Sequence, residues 1–112
     1  MKIKILIVIF ISLFTINANA GYIKGLGANS CGEVIDTINE GKKLNIEWAD
    51  MMYTAWIQGY MSGLDDNKPS ATSRLKNVSK DSLYFAVLNR CKAKPLDDLY
   101  EATDYVYFNQ LQ

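Results

Sequence analysis

The sequence predicts a small all-α domain of about four helices, stapled by a single disulfide. Three observations carry this. Apolar residues recur every three or four positions through four segments, and no segment alternates apolar and polar residues as a half-buried strand would. The chain has two cysteines, Cys31 and Cys91, and they follow an export-type leader.

The leader accounts for residues 1–20. Met1-Lys2-Ile3-Lys4 is a positive start, Ile5 to Ile16 is almost unbroken apolar sequence, and Ala18-Asn19-Ala20 has the small-x-small pattern of a signal-peptidase site. An apolar run of about a dozen residues is short of the roughly 20 that span a bilayer. Cleavage is therefore expected after Ala20, leaving no membrane-inserted segment, and with no cysteine at that point no lipid anchor is expected. The product would enter an oxidising compartment, where two thiols tend to become one disulfide. Closing a loop of about 60 residues stabilises a fold by about 4 kcal/mol in the chain-entropy model.

Removing 20 of the 112 residues leaves 92, enough for one domain. Lys2 and Lys4 go with the leader, so ten basic side chains face 12 acidic ones, a net charge of about −2. Nucleic acid and anionic membrane both select a basic excess, and neither is an expected partner.

The elements follow in order. Gly21–Asn29 is glycine-rich without a helical period, an extended or mobile lead-in to a helical domain over residues 30–112. Ser30 and Glu33 have the spacing of a capping box. Cys31, Val34, Ile35 and Ile38 then mark one helix face, and Gly41 is expected to stop the helix. A second helix runs from about Ile46 to Gly63, with Ala49, Met52, Tyr53, Trp56, Tyr60 and Leu64 as its stripe, widened by Ile57 and Met61.

On a neighbouring line Ala55, Gly59 and Gly63 fall four residues apart. Glycine costs a helix about 1 kcal/mol relative to alanine, so this line predicts close approach of another backbone or of the disulfide. Together with Trp56 and Tyr60 it forms the expected helix-packing motif. Asp65 to Ser73 is polar and contains Pro69, and reads as a loop.

A third helix starts near Ser79 with Asp81 in its first turn, and buries Leu83, Tyr84, Val87, Leu88 and Cys91. Pro95 ends it and suits the first position of a fourth helix. Leu96, Leu99, Tyr100, Thr103, Val106 and Tyr107 continue the core pattern toward Leu111. Cys31 thus opens the first helix and Cys91 closes the third.

Chemistry is sparse. The chain has no histidine to act as general base or metal ligand, and no glycine-rich phosphate loop after a strand. An enzyme is not expected, and neither is a cofactor or a metal. Asp65-Asp66 and Asp97-Asp98 are read as a loop and a helix start, because adjacent residues diverge on a helix. Asp65-Asp66-Asn67 lacks the ligand spacing of a calcium loop. Asn77-Val78-Ser79 matches a glycosylation sequon, which has meaning only in a eukaryotic secretory pathway. The many aromatics exceed what a small core holds. Tyr105 and Phe108, off the main stripe of the last helix, are the candidates for an exposed patch that binds a partner protein or a second copy of the chain.

Three landmarks follow in order: Ser30-Cys31-Gly32-Glu33-Val34, then Trp56-Ile57-Gln58-Gly59-Tyr60-Met61-Ser62-Gly63, then Cys91-Lys92-Ala93-Lys94-Pro95 before Leu99-Tyr100. This order resembles the HdeA/HdeB-like group of small periplasmic helical proteins. The resemblance implies a disulfide-bonded bacterial periplasmic protein, often dimeric, that loosens in acid and holds unfolding clients. Protonating 12 carboxylates would take residues 21–112 from about −2 to about +10. Gly59-Tyr60-Met61-Ser62-Gly63-Leu64-Asp65-Asp66 is also similar to Tai-type periplasmic immunity proteins, which neutralise a secreted cell-wall amidase toxin. Those have more cysteines, including one near the position of Trp56. That likeness implies one toxin as partner.

Overall fold

The computed structural model describes residues 23–111. The expected signal peptide, its cleavage site and the first two residues of the lead-in lie outside them. Four α-helices surround one core, with no strand among the described residues: α1 (Cys31–Lys43), α2 (Trp48–Asp65), α3 (Lys80–Ala93) and α4 (Leu99–Tyr105). A π-helical turn, Val106–Gln110, continues α4, and short 3-10 turns lie at Gly25–Ala28 and Ser70–Thr72. Helix α3 is central and packs on α1, α2 and α4.

Helix α1 starts where the capping box puts it. Ser30 Oγ accepts from the Glu33 amide at 3.2 Å, and the Glu33 carboxylate accepts from the Ser30 amide at 3.1 Å. It buries Cys31, Val34 and Ile38. Gly41 does not stop it. The helix runs on to Lys43 with Gly41 buried, and a Cβ there would sit 2.8 Å from the Ile46 carbonyl oxygen. The glycine admits the returning chain, whose Ile46 amide donates to the Gly41 carbonyl at 2.8 Å. Asn45, at φ 53°, makes the reversal.

Helix α2 is rotated from the expected orientation. Its buried line is Ala49, Tyr53, Ile57 and Met61, while Met52, Trp56, Tyr60 and Leu64 are half-buried along one flank. Ala55, Gly59 and Gly63 face solvent, and a Cβ at either glycine would meet no atom within 4 Å. This overturns the expected packing motif: neither a backbone nor the disulfide approaches that line. Apolar residues lie on most sides of α2, so their period does not single out one face.

The real close approach is at Gly27. A Cβ there would lie 2.1 Å from Trp56 Cζ2, so the 3-10 turn rests its backbone on the indole. The later part of the expected extended lead-in is therefore a docked turn. It packs against α4 as well as α2.

Helix α3 matches expectation closely. Ser79 caps it, accepting from the Ser82 amide at 3.1 Å, and Leu83, Tyr84, Val87, Leu88 and Cys91 are its buried residues. After Ala93 the chain turns a corner through residues 94–98. Pro95 does not open the fourth helix: α4 begins at Leu99, and Leu96, expected in the core, is 95% exposed. The corner has a different task. The Asp97 and Pro95 carbonyls accept from the Cys31 and Gly32 amides at 2.7 and 2.9 Å, and the Leu99 amide donates to the Asn29 carbonyl at 2.9 Å. It thereby satisfies amide donors that the first turn of α1 would otherwise leave open. The Cys31–Cys91 disulfide lies beside this clasp, Cα atoms 4.7 Å apart and both residues fully buried.

Candidate functional site

Three tyrosine hydroxyls reach from one element to a carboxylate on another. Tyr60 of α2 donates to Asp104 of α4 at 2.9 Å, Tyr84 of α3 donates to Asp50 of α2, and Tyr107 of the π turn donates to Asp65 at the end of α2 at 2.6 Å. A hydrogen bond to an ionised acceptor is roughly twice as strong as a neutral one. Burial, and next the accepting carboxylate, push the Tyr60 and Tyr107 hydroxyls up to about 12, and raise Tyr84 for the same reasons.

Asp65 is the busiest of the acceptors. It also accepts from the Ser73 hydroxyl and, at 3.1 Å, from the Arg74 amide. The Ser73 bond first, and then the Tyr107 bond, hold its carboxyl below the usual range. Arg74 completes the cluster. Its Nη1 donates to the Tyr107 and Phe108 carbonyls at 2.9 Å and to Leu111 at 3.3 Å, closing the end of the last helix. All four groups are engaged with one another. The arrangement fastens the end of α2 to the segment after it and to the last helix.

The predicted site residues divide. Cys31 and Cys91 form the disulfide, and no described cysteine is free. Trp56 and Tyr60 stack at 4.8 Å between ring centroids, but without the small-residue line beside them. Tyr105 and Phe108 are both exposed, and they belong to different surroundings. The Arg90 guanidinium lies 3.6 Å over the Tyr105 ring, whereas Phe108 sits beside Arg74 and Tyr107. Of the carboxylate pairs, Asp65 belongs to the cluster above and Asp98 precedes α4 as its N-cap residue. Among the described residues no three His, Cys, Asp or Glu side chains assemble into a metal site, and no helix is long and apolar enough to cross a membrane.

No family model, curated protein or solved structure matches the chain.

Residue periodicity missed a run of exposed apolar side chains. Leu44, Ile46, Trp48 and Met51 fall within eight residues at the α1–α2 junction, and Leu44 and Met51 are 67% and 70% exposed. Phe85, on the outward side of α3, is 60% exposed. A signal for the junction does exist. Leu44 and Ile46 fall between two helices, outside either stripe, where polar turn residues are the rule. Arg90 had no such signal, because its surroundings come from α4, far along the chain.

Proposed function

We propose that this is an exported protein of an oxidising compartment, most simply the bacterial periplasm, that acts by binding other proteins. Its role would be to hold unfolding clients under acid stress, as the resemblance to HdeA/HdeB-like proteins implies. The observation that carries this reading is the apolar surface at Leu44, Ile46, Trp48 and Met51. Large apolar side chains left in water mark candidate sites of protein association, and each Å² buried there contributes about 25 cal/mol. A client segment of no fixed sequence can use such a surface, since burial is not directional.

The interhelical ties support an acid response. Each of Asp50, Asp65 and Asp104 accepts a tyrosine hydrogen bond, a tie that is stronger to an ionised acceptor, and in acid the chain gains positive charge. Expansion would add newly exposed core to the surface already open, and the disulfide would limit it.

The test is an aggregation assay on protein exported with its own residues 1–20. It would be mixed with an aggregation-prone client while the pH falls from about 7 to about 2. Suppression of light scattering in acid, reduced by Trp48→Ser with Met51→Ser, is expected. Absence of suppression at every pH would refute the proposal. Mass spectrometry of the exported product tests the leader, with Gly21 the expected first residue.

A further inference from the structure

We infer that Met51 is a site of reversible oxidation, where a peroxide converts the thioether to a sulfoxide and so weakens the apolar surface proposed to hold clients. The inference rests on that reading and supplies its regulation.

Outside the leader, the sulfur-bearing residues are Cys31, Cys91, Met51, Met52 and Met61. The two cysteines are joined and fully buried, so neither offers a thiolate to an oxidant. Met61 is fully buried on the core line of α2, and Met52 is half-buried on its flank. Met51 is 70% exposed, the one exposed sulfur-bearing side chain among the described residues. One helix thus holds three methionines at three depths. A thioether has no ionisation for its surroundings to tune, so access decides which is oxidised first.

In the step itself the Met51 sulfur gives an electron pair to one oxygen of hydrogen peroxide. The O–O bond breaks and an S–O bond forms. The other oxygen takes the proton of the transferred one and leaves as water, so the sulfur is oxidised and the peroxide reduced.

The position of Met51 gives that step a consequence. Trp48 and Met51 are three residues apart in the first turn of α2, so their side chains emerge as neighbours. Both are exposed, as are Leu44 and Ile46 just before them. A sulfoxide makes a flexible apolar side chain polar, and a client that covers it must strip its water. Met51 is not among the side chains that pack on the core, so the fold does not resist the change. Beside it, Thr54, Gln58 and Lys80 border a hollow of about 320 Å³ and offer donors to the new oxygen. Exposure that admits a peroxide also admits a sulfoxide reductase.

The test treats the disulfide-bonded exported protein with hydrogen peroxide at neutral pH and follows each methionine by peptide mass spectrometry. Met51 should gain oxygen about tenfold faster than Met61, with Met52 between, because Met61 reacts only when the fold opens. In urea the three rates should converge, which separates burial from local sequence. After the peroxide is removed, the treated protein should be needed in about twofold greater amount for the same suppression of light scattering in acid. Reductases acting on both sulfoxide epimers should reverse this. In Met51→Leu, treated and untreated protein should suppress scattering equally. Met52 or Met61 oxidising as fast as Met51, equal holding by treated and untreated wild-type protein, or a peroxide effect that persists in Met51→Leu would each overturn the inference and leave client holding standing. Absence of suppression by the untreated protein would overturn both.

Discussion

Replacing Gly59 by alanine distinguishes a solvent-facing line on α2 from a packed one, because the two predict opposite signs. The added Cβ meets nothing within 4 Å, so no contact opposes the gain in helix propensity. That gain is about 0.8–1 kcal/mol in a helix interior, and Gly59 lies well inside the 18-residue α2. Gly63 is in the last turn, where about half is expected. For a domain of this size 1 kcal/mol shifts Tm by about 4–8 °C. Gly59→Ala should therefore raise Tm by about 4–7 °C, and the double variant with Gly63→Ala by about 6–10 °C. Thermal melts followed by circular dichroism measure this, and urea melts should show a higher midpoint at unchanged slope. A Tm that stays level or falls in Gly59→Ala would refute the reasoning, since it would mean that another backbone lies on this line.

Four further outcomes are expected. Gly27→Ala should destabilise by about 1–3 kcal/mol in urea melts, because Trp56 is backed by Tyr60, itself tied to Asp104, and the indole cannot retreat. The double variant Cys31→Ala/Cys91→Ala should lose about 4 kcal/mol for a 60-residue separation, and a loss under about 1 kcal/mol would argue that the unfolded chain is already compact. Asp65→Asn should cost stability at pH 7 and less in acid: with the folded carboxyl depressed, its contribution is present above the unfolded value near 4 and is lost as pH falls through the lower folded one. The tyrosines give the mirror image. Folded hydroxyls at about 12 against about 10 unfolded keep their contribution below pH 10 and lose it between about 10 and 12, so Tyr60→Phe should flatten the alkaline fall in urea midpoints.

Local chemistry was legible wherever one short-range pattern had no competitor. The Ser30–Glu33 box and the Leu83, Tyr84, Val87, Leu88, Cys91 face are set by contacts within a turn or by one clean stripe. Helix α2 was legible as a helix but not in its orientation. Trp56 and Tyr60 look like core by size, yet they lie at its edge, where the indole supports a backbone from residues 25–28. Leu96 was misread because the carbonyls on either side of it, Pro95 and Asp97, are recruited by the first turn of α1, and its own side chain is left in water. The same limit hid the stacking of Arg90 on Tyr105. Arg90 acquires its meaning from Tyr105, fifteen positions on, and no spacing rule covers a pair brought together by a corner.

The disulfide also gives the chain the form of a lariat. Residues 31–91 make a closed covalent ring, and residues 99–111 are a tail lying across it. The knots that hold the tail are the Tyr60–Asp104 and Tyr107–Asp65 bonds and the three carbonyls gripped by Arg74, with their ring-side partners all inside the loop. The tail can leave without the ring opening, whereas α1, α2 and α3 cannot separate far even when their packing is lost. Breathing of this fold therefore has a direction: amides of α4 should exchange before those of α3, and the surface first uncovered is the seat of Val106 and Tyr107 on the ring.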